Sequence, residues 1–233
     1  MTEPAPFWVR PPGALELSLV AVAGVALCVA ALLLPAADLP IAEKFFVEPG
    51  KFSLQQSAFW TGLRETFLKM FTYWYVLVAA ATLFTLRTGA VIGRWRGDHW
   101  LYLAVASIAG PWLFVNVFLK EHWGRWRPLF LEEFGGKENY SLPFDWSGSC
   151  ASNCAFVSGE VASMVMLFVG VALISRAWRP VFYVLAALFG ATEAYIRIGM
   201  GGHFLTDTLA AAGFMTLMAA ALLPICRAFG LRL

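Results

Sequence analysis

Three short stretches of this sequence place cations, glycines and a histidine where they could bind an anion. The first stretch, KEHWGRWRP, carries Lys120, Arg125 and Arg127 directly after the apolar run LYLAVASIAGPWLFVNVFL. Lysine supplies a point charge, and arginine supplies a forked donor that can bind an oxyanion through two hydrogen bonds. The same residue types also suit a membrane interface, where long basic side chains snorkel and tryptophans form a belt. This stretch alone fits both interpretations.

The second stretch, FVSGEVASM, places Ser158, Gly159 and Glu160 at the predicted start of a helix. Serine is a favoured N-cap and an acid in the first turn suits the helix dipole, so capping explains much of the pattern. A helix N-terminus beside glycine is also an anion site, because backbone N–H groups point outward and no side chain blocks the approach. Glu160 is unexpected there, since a carboxylate repels a bound anion unless it is protonated or paired.

The third stretch, EAYIRIGMGGHFLTD, ends one helix at Arg197 and opens the next with His203 and Asp207. Residues four apart share a helix face, so Asp207 can accept from one imidazole nitrogen and leave the other nitrogen free. That arrangement suits a nucleophilic or basic histidine, although an isolated His–Asp pair is more often structural. Glu193 lies four residues before Arg197, so we expect an ion pair to hold this arginine.

The elements that must position these stretches are membrane helices. The chain has 233 residues, of which 60% are hydrophobic and 14% charged, whereas soluble domains carry about a quarter charged residues. Apolar segments predict an all-α, polytopic bundle of six transmembrane helices, formed by one domain over residues 1–233. The first segment is longer than a signal-peptide core, and we expect it to be retained. The segments are 14–35, 68–86, 101–119, 158–175, 180–196 and 204–225.

Arginines in the short loops predict the orientation of this bundle. Cytoplasmic loops of membrane proteins carry an excess of lysine and arginine, so the arginine-rich side and both termini are expected to be cytoplasmic. The other loops, 36–67, 120–157 and 197–203, then face outward and carry the three stretches. The arginines on the cytoplasmic side are Arg10, Arg87, Arg94, Arg96, Arg176, Arg179, Arg227 and Arg232.

The four cysteines fall into two pairs with different expected roles. Cys150 and Cys154 lie in the outer loop, and we expect a disulfide between them if that side is an oxidising periplasm. Cys28 and Cys226 lie in apolar segments and are expected to pack as small hydrophobic residues. A zinc site is the less favoured alternative, because no Cys/His pair is suitably spaced.

Taken together, the three stretches suit a phosphate, because cations, a helix N-terminus and an oriented histidine collect on one membrane face. The order K-x6-R-P, S-G-x and R-x5-H-x3-D, at 120–128, 158–160 and 197–207, resembles the three-part signature of the type 2 phosphatidic acid phosphatase superfamily. In this family, phosphate passes to a histidine without metal or other cofactor, and the phosphohistidine is then hydrolysed. The resemblance implies phosphate binding by Lys120, Arg127, Ser158, Gly159 and Arg197, with His203 as nucleophile and Asp207 as its orienting partner.

Two positions depart from the family pattern. Glu160 stands where a histidine usually serves as general acid to the leaving oxygen, and Ile196 stands where a serine usually precedes the arginine. Three accounts of Glu160 stay open: it is itself the acid, His122 supplies the proton, or the chain only binds its ligand. A metal site formed by Glu160, His203 and Asp207 is the runner-up chemistry, disfavoured because the nearby cations repel a divalent ion. Candidates for supporting roles are His122, Glu193 and Arg125.

The resemblance implies an enzyme of the bacterial inner membrane, with a periplasmic site and a lipid phosphate as substrate. The pattern NCAFVSGE is similar to a variant among bacterial lipid A phosphatases, particularly those that remove the 4′-phosphate, so lipid A is the first candidate. Phosphatidylglycerol phosphate, undecaprenyl diphosphate and phosphatidate are alternative substrates. Phosphotransfer to a second lipid and non-catalytic binding are alternative functions. A net charge of +2 without a basic tail argues against nucleic acid as a partner, and the oligomeric state stays open.

Overall fold

The computed structural model describes residues 12–233, and these residues are mostly helical. Helices are the expected solution for so apolar a chain, because a bilayer offers no hydrogen-bond partners and a helix satisfies its own backbone. Arg10, which entered the prediction of orientation, lies outside the described residues. The helices are α1 (Ala14–Leu33), α2 (Asp38–Glu43), α3 (Ala58–Thr88), α4 (Gly97–His122, π-helical over Ile108–Leu119), α5 (Gly159–Ile174), α6 (Arg179–Gly199) and α7 (Leu205–Ala228).

Within residues 12–233, five helices are long and apolar enough to cross a membrane, namely α1, α3, α4, α6 and α7. Helix α5 is apolar but has only 16 residues, which corresponds to about 24 Å at 1.5 Å per residue. The predicted segment 68–86 is too short, because α3 already starts at Ala58. Its first turns carry Arg64, Glu65 and Lys69, and these charges hide the start of the helix from a hydropathy criterion.

Helix α5 forms the centre of the bundle. It packs against α4, α6 and α7, while α1 packs on α7 and α3 packs on α4. Every residue of α5 except Glu160 is buried, as expected for a helix that is hydrophobic on all sides. The N-terminus of α5 is therefore delivered from the middle of the bundle to the end at which the three sequence stretches meet.

The loops at that end fold into a small core of their own. The first loop, 34–57, contains α2 and the antiparallel strands β1 (Phe46–Glu48) and β2 (Lys51–Phe52). The second loop, 123–158, folds over the first. Buried apolar side chains from both loops and from the start of α7 pack together; they are Ala42, Phe52, Leu131, Phe134 and Phe204. This outer core fixes the loops on which several site residues lie.

One buried ion pair joins helices at the opposite end. Arg179 Nη1 donates to Glu16 Oε2 at 2.9 Å, and the Tyr183 hydroxyl donates to Glu16 Oε1 at 3.0 Å. Arg179 also donates through Nε to the carbonyl of Ala172, at the end of α5. The sequence placed Arg179 in a cytoplasmic loop, but it is the first residue of α6 and is buried. This arginine therefore connects α1, α5 and α6.

The connectivity predicts that residues of loops 89–96 and 123–158 react from opposite sides of a membrane. In a Cys28→Ala/Cys226→Ala background, we expect Ser147→Cys to react with an impermeant maleimide in intact cells, whereas Arg94→Cys should react only after lysis. The arginine-rich loops set this direction. Labelling is quantified by mass shift. The reverse pattern would place the candidate site on the cytoplasmic side.

Candidate functional site

The three sequence stretches converge at the N-terminus of α5. Lys120 lies in the last turn of α4, Arg127 follows in the second loop, and Arg197 lies in the last turn of α6. The charges of these three cations act on one another and on Glu160 in the first turn of α5. The structure therefore brings together the cations that the sequence predicted to bind one anion.

A fourth cation, Arg64 of α3, completes this cluster. Its Nε lies 2.9 Å from Glu160 Oε2 and its Nη2 lies 2.7 Å from Glu160 Oε1, which is a forked, bidentate pair. Arg197 Nε approaches Glu160 Oε1 at 3.4 Å. The sequence pattern did not indicate Arg64, because this residue lies far from the three stretches along the chain. The sequence signal that could have indicated Arg64 is its position as a cation in the first turns of α3, which starts at the end of the bundle where the three stretches meet.

Glu160 therefore has different partners from those that a free general acid requires. Both of its carboxylate oxygens accept from Arg64, and Arg197 Nε adds an ion pair to Oε1 at 3.4 Å, so Glu160 is neutralised by pairing. We define the cation cluster as Lys120, Arg127, Arg197 and Arg64, which surround this one carboxylate. The excess of positive charge around one buried helix N-terminus suits a doubly charged anion such as a phosphate.

The predicted ion pair between Glu193 and Arg197 is wrong. Arg197 extends from the end of α6 toward α5 and pairs with Glu160 instead. Glu193 is fully buried and faces Glu160, and neither of its oxygens accepts a hydrogen bond within the part of the chain that the structure describes. Helical spacing placed Glu193 near Arg197, but the direction of the long arginine side chain decided the pairing.

Gly159 allows the N-terminus of α5 to approach α4 closely. A Cβ atom at this position would lie 2.6 Å from Asn116 Oδ1 and 3.4 Å from Lys120 Nζ. Ser158 is the N-cap, and its Oγ accepts weakly from the N–H of Val161 at 3.5 Å. The lysine of the cation cluster therefore lies beside the first N–H groups of a helix, and both features favour an anion.

Arg127 is held by a disulfide-closed turn. Cys150 and Cys154 form a disulfide, as the sequence predicted, and Asn153 lies between them with a positive φ of 49°. Arg127 Nη2 donates to the Asn153 carbonyl at 2.7 Å and to its Oδ1 at 2.6 Å. The turn thereby orients the guanidinium, and burial lowers the pKa of Arg127.

His203 is buried and holds its hydrogen at Nδ1. Nδ1 lies 2.6 Å from the carbonyl oxygen of Ala155, which can only accept, so Nδ1 donates and Nε2 keeps its lone pair. Burial, followed by the charges of Arg197, Lys120 and Arg127, holds the pKa of His203 well below its ordinary value of 6.5. His203 is therefore a neutral imidazole with a free Nε2, as a nucleophile requires.

Asp207 makes contacts that differ from the expected hydrogen bond to His203. Its Oδ2 lies 3.8 Å from His203 Nδ1 and accepts from the N–H of Phe204 at 2.8 Å. Its Oδ1 accepts from Arg125. As the third residue of α7, Asp207 reaches back to cap the backbone at the start of its own helix. The hydrogen-bond acceptor that orients His203 is therefore the Ala155 carbonyl, and the Asp207 carboxylate lies farther from the ring.

His122 does not join the site. It is exposed at the end of α4, its Nδ1 lies 2.8 Å from the carbonyl of Phe118, and its ring stacks on that of Phe118. The backbone and ring of its own helix therefore account for its contacts. The structure gives no support to the hypothesis that His122 protonates a leaving group.

The carboxylates proposed for the alternative metal site are engaged by arginines. Glu160 accepts from Arg64 and Asp207 accepts from Arg125. Within residues 12–233, no group of three His, Cys, Asp or Glu side chains is arranged to hold a metal ion. The arrangement instead combines a buried neutral histidine with a group of cations.

Comparisons with known proteins identify a family and several relatives. The family model of the PAP2 superfamily matches residues 99–229, which include all three sequence stretches. The chain is 36% identical over 109 residues to a lipid A 4′-phosphatase of Francisella tularensis subsp. novicida, covering 46% of this chain and 49% of that protein. It is 38% identical over 122 residues to a lipid A 4′-phosphatase of Rhizobium leguminosarum, covering 52% of each. The chain thus spans about half the length of the curated relatives it matches. No solved structure matches the chain.

Replacing Gly159 by alanine should weaken anion binding, because the added Cβ meets Asn116 Oδ1 at 2.6 Å. We expect the affinity for inorganic phosphate, measured by titration calorimetry, to fall about ten-fold or more, equivalent to about 1.4 kcal/mol. Gly170→Ala in the same helix is the matched control, because its Cβ meets only Leu103 Cδ2, at 3.4 Å. Equal affinities of the two variants would contradict the close approach at Gly159.

Proposed function

The chain belongs to the PAP2 superfamily, and we propose that it is a membrane lipid phosphatase that removes a phosphate from lipid A on the periplasmic leaflet. The observation that carries this proposal is the neutral, buried His203 with a free Nε2 beside the cation cluster. The names of the curated relatives support lipid A, and its 4′-phosphate, as the substrate. The abundance of apolar helices supports a substrate whose acyl chains stay in the bilayer.

In the first step, the phosphate takes the place that the cation cluster provides, with the N–H groups at the start of α5 as further donors. Nε2 of His203 attacks phosphorus, the bond to the lipid oxygen breaks, and that oxygen leaves with the bonding electrons and takes up a proton. Nδ1 keeps its hydrogen and donates it to Ala155, so the phosphorylated ring carries a positive charge. The fixed cations stabilise the negative charge on the phosphoryl oxygens.

In the second step, water attacks phosphorus and passes one proton to the Glu160 carboxylate, and the P–N bond breaks. The electrons of that bond return to Nε2, which restores the neutral imidazole, and inorganic phosphate leaves. Asp207, whose Oδ2 lies 3.8 Å from Nδ1, favours the positively charged ring between the two steps. The phosphohistidine mechanism therefore uses only residues of this chain.

Glu160 is proposed to protonate the leaving oxygen after its arginine partners have turned to the substrate phosphate. In the free protein, its carboxylate accepts from Arg64 and forms an ion pair with Arg197. An entering phosphate dianion attracts both arginines and disfavours a second negative charge beside it, so Glu160 takes up a proton that it then delivers to the leaving oxygen. This account retains Glu160 as the general acid and explains why the free carboxylate is paired.

We propose that six helices span a bacterial inner membrane, namely the five long apolar helices and α5. Helix α5 is shorter than the other spans, but it is enclosed by helices, so it need not match the thickness of the hydrocarbon core by itself. The arginine-rich loops support cytoplasmic termini and a periplasmic site. A disulfide between Cys150 and Cys154 suits that oxidising compartment.

We expect phosphate release from lipid A to survive EDTA and to disappear in His203→Ala. Histidine and fixed cations supply the chemistry in this mechanism, so a chelator removes nothing that is needed. Acid-labile, base-stable phosphate should be trapped on the wild-type chain after a rapid quench with ³²P-labelled lipid A. Activity that vanishes with EDTA and returns with Mg²⁺ or Zn²⁺ would contradict the mechanism. A panel with phosphatidylglycerol phosphate, undecaprenyl diphosphate and phosphatidate tests the choice of substrate.

Glu160→Gln tests the general acid. Glutamine keeps the size of the side chain but delivers no proton, so we expect turnover of an alkyl phosphate to fall on the order of 10²–10⁴-fold. The loss should be much smaller on an aryl phosphate, whose leaving group needs little protonation. Equal losses on both substrates would limit Glu160 to holding the arginines. Higher activity in Glu160→His than in the wild type would identify Glu160 as an inactivating replacement.

A further inference from the structure

Behind His203 lies a second group of charges, of which the proposed mechanism uses only Asp207. Arg125 lies between the carboxylates of Asp38 and Asp207, and none of the three side chains has exposed surface. Arg125 Nη2 lies 2.7 Å from Asp38 Oδ2, and Arg125 Nη1 donates to Asp207 Oδ1. Two buried carboxylates therefore share one guanidinium. Such a group is costly to bury, so its retention calls for a role beyond packing.

Asp38 is fixed as an acceptor from several directions. Its Oδ1 accepts from the N–H of Thr206 at 3.0 Å, and its Oδ2 accepts from the Thr206 hydroxyl at 2.6 Å. The Tyr140 hydroxyl donates to the same oxygen at 3.1 Å. Asp38 starts α2, in the first outer loop, and so lies outside the range 99–229 that the family model matches. The carboxylate thus ties a loop outside that range to the start of α7.

Arg125 contacts both of the groups that lie near the Nδ1 hydrogen of His203. Its side chain holds Asp207, whose Oδ2 lies 3.8 Å from His203 Nδ1. Its backbone carbonyl accepts from the N–H of Ala155 at 2.8 Å, and the Ala155 carbonyl accepts from Nδ1 at 2.6 Å. The guanidinium also lies over the ring of Phe204, 4.4 Å from its centroid. One residue therefore places both groups that face Nδ1.

We propose that Asp38 and Arg125 are positioning residues for the nucleophile, because Asp38 anchors Arg125, and Arg125 holds Asp207 and Ala155 beside His203 Nδ1. This inference rests on the proposed function, since it assumes that His203 accepts the phosphoryl group. When Nε2 is phosphorylated the ring becomes positive, and the group of two carboxylates and one guanidinium carries the negative charge that favours it. This stabilisation acts on the phosphorylated His203 ring, so its loss is expected to lower turnover.

The two ends of the guanidinium fork explain why this position suits arginine. Nη1 and Nη2 bind different carboxylates, and Nε donates to the carbonyl of Ser141 at 3.0 Å. A lysine ammonium is a single point and cannot span the two carboxylates in this geometry. Arg125→Lys therefore keeps the charge and removes the bridge, which separates geometry from electrostatics.

The test compares Asp38→Asn, Arg125→Lys and the control Asp145→Asn in the full-length protein in lipid nanodiscs. Asp145 lies in the second outer loop and accepts from the backbone N–H of Ser147. Turnover of lipid A and single-turnover formation of ³²P-phosphohistidine are measured, with thermal unfolding to confirm folding. We expect kcat and the phosphorylation rate to fall about 10- to 100-fold in the first two variants, as for outer partners of reacting groups. KM should change less than about three-fold, because the cation cluster is untouched.

Folded Asp38→Asn and Arg125→Lys proteins with wild-type kcat and phosphorylation rates would overturn the assignment. So would a rise in KM at constant kcat, which would place the group in substrate binding. If Asp38→Asn does not fold, Arg125→Lys decides, because it keeps the charge inside the protein. A wild-type protein that releases no phosphate, or a fully active His203→Ala variant, would instead refute the proposed function, and that result is distinct from unchanged positioning variants.

Discussion

The buried guanidinium of Arg125 connects three parts of the protein that are far apart along the chain. It joins α2 of the first outer loop, the second outer loop and the first turn of α7 through charged hydrogen bonds. Breaking a buried ion pair by removing one partner typically costs about 3–5 kcal/mol, because the remaining charge is left unpaired. Arg125 therefore acts with the hydrogen bonds that Thr206 and Tyr140 donate to Asp38 to hold the two loops together, and the site at their junction depends on these contacts.

The charges of the cation cluster repel one another, whereas Arg125 is attracted to its two carboxylates. Arg64 and Arg197 are paired with Glu160, and Arg127 is held by the carbonyl and the side chain of Asn153. These contacts keep the cations in place without cancelling them. A site of this kind is pre-organised for an anion, since the energy of gathering the charges is met by folding, before the ligand arrives.

Helix α5 explains how a highly charged site is formed at the end of an apolar helix bundle. The helix is apolar on all sides and enclosed by its neighbours, so its axis is fixed by packing. Gly159 then lets its first turn approach Lys120 without steric conflict. The central helix thus places its first backbone N–H groups at the site. These donors are held by the helix itself and do not depend on the conformation of a flexible side chain.

The sequence by itself determined the features that depend on local pattern. Hydropathy located one helix for each predicted segment, the three stretches located most of the cations and the histidine, and their order identified the family. Cys150 and Cys154 are close enough along the chain that their pairing was also predictable. Such features depend on residues within a few turns of each other, whose geometry is fixed by the period of a helix.

The tertiary structure alone decided which partners those residues have. Arg64 and Asp38 reach the site from far along the chain, and only the packing of α3 and α2 against the outer end brings them there. Spacing of four residues predicted hydrogen bonds within helices for Asp207 and Arg197. Both side chains instead turned to groups on other elements, Arg125 and Glu160. A long or charged side chain satisfies the strongest partner within its reach, and that partner is set by how distant segments pack, which no local pattern encodes.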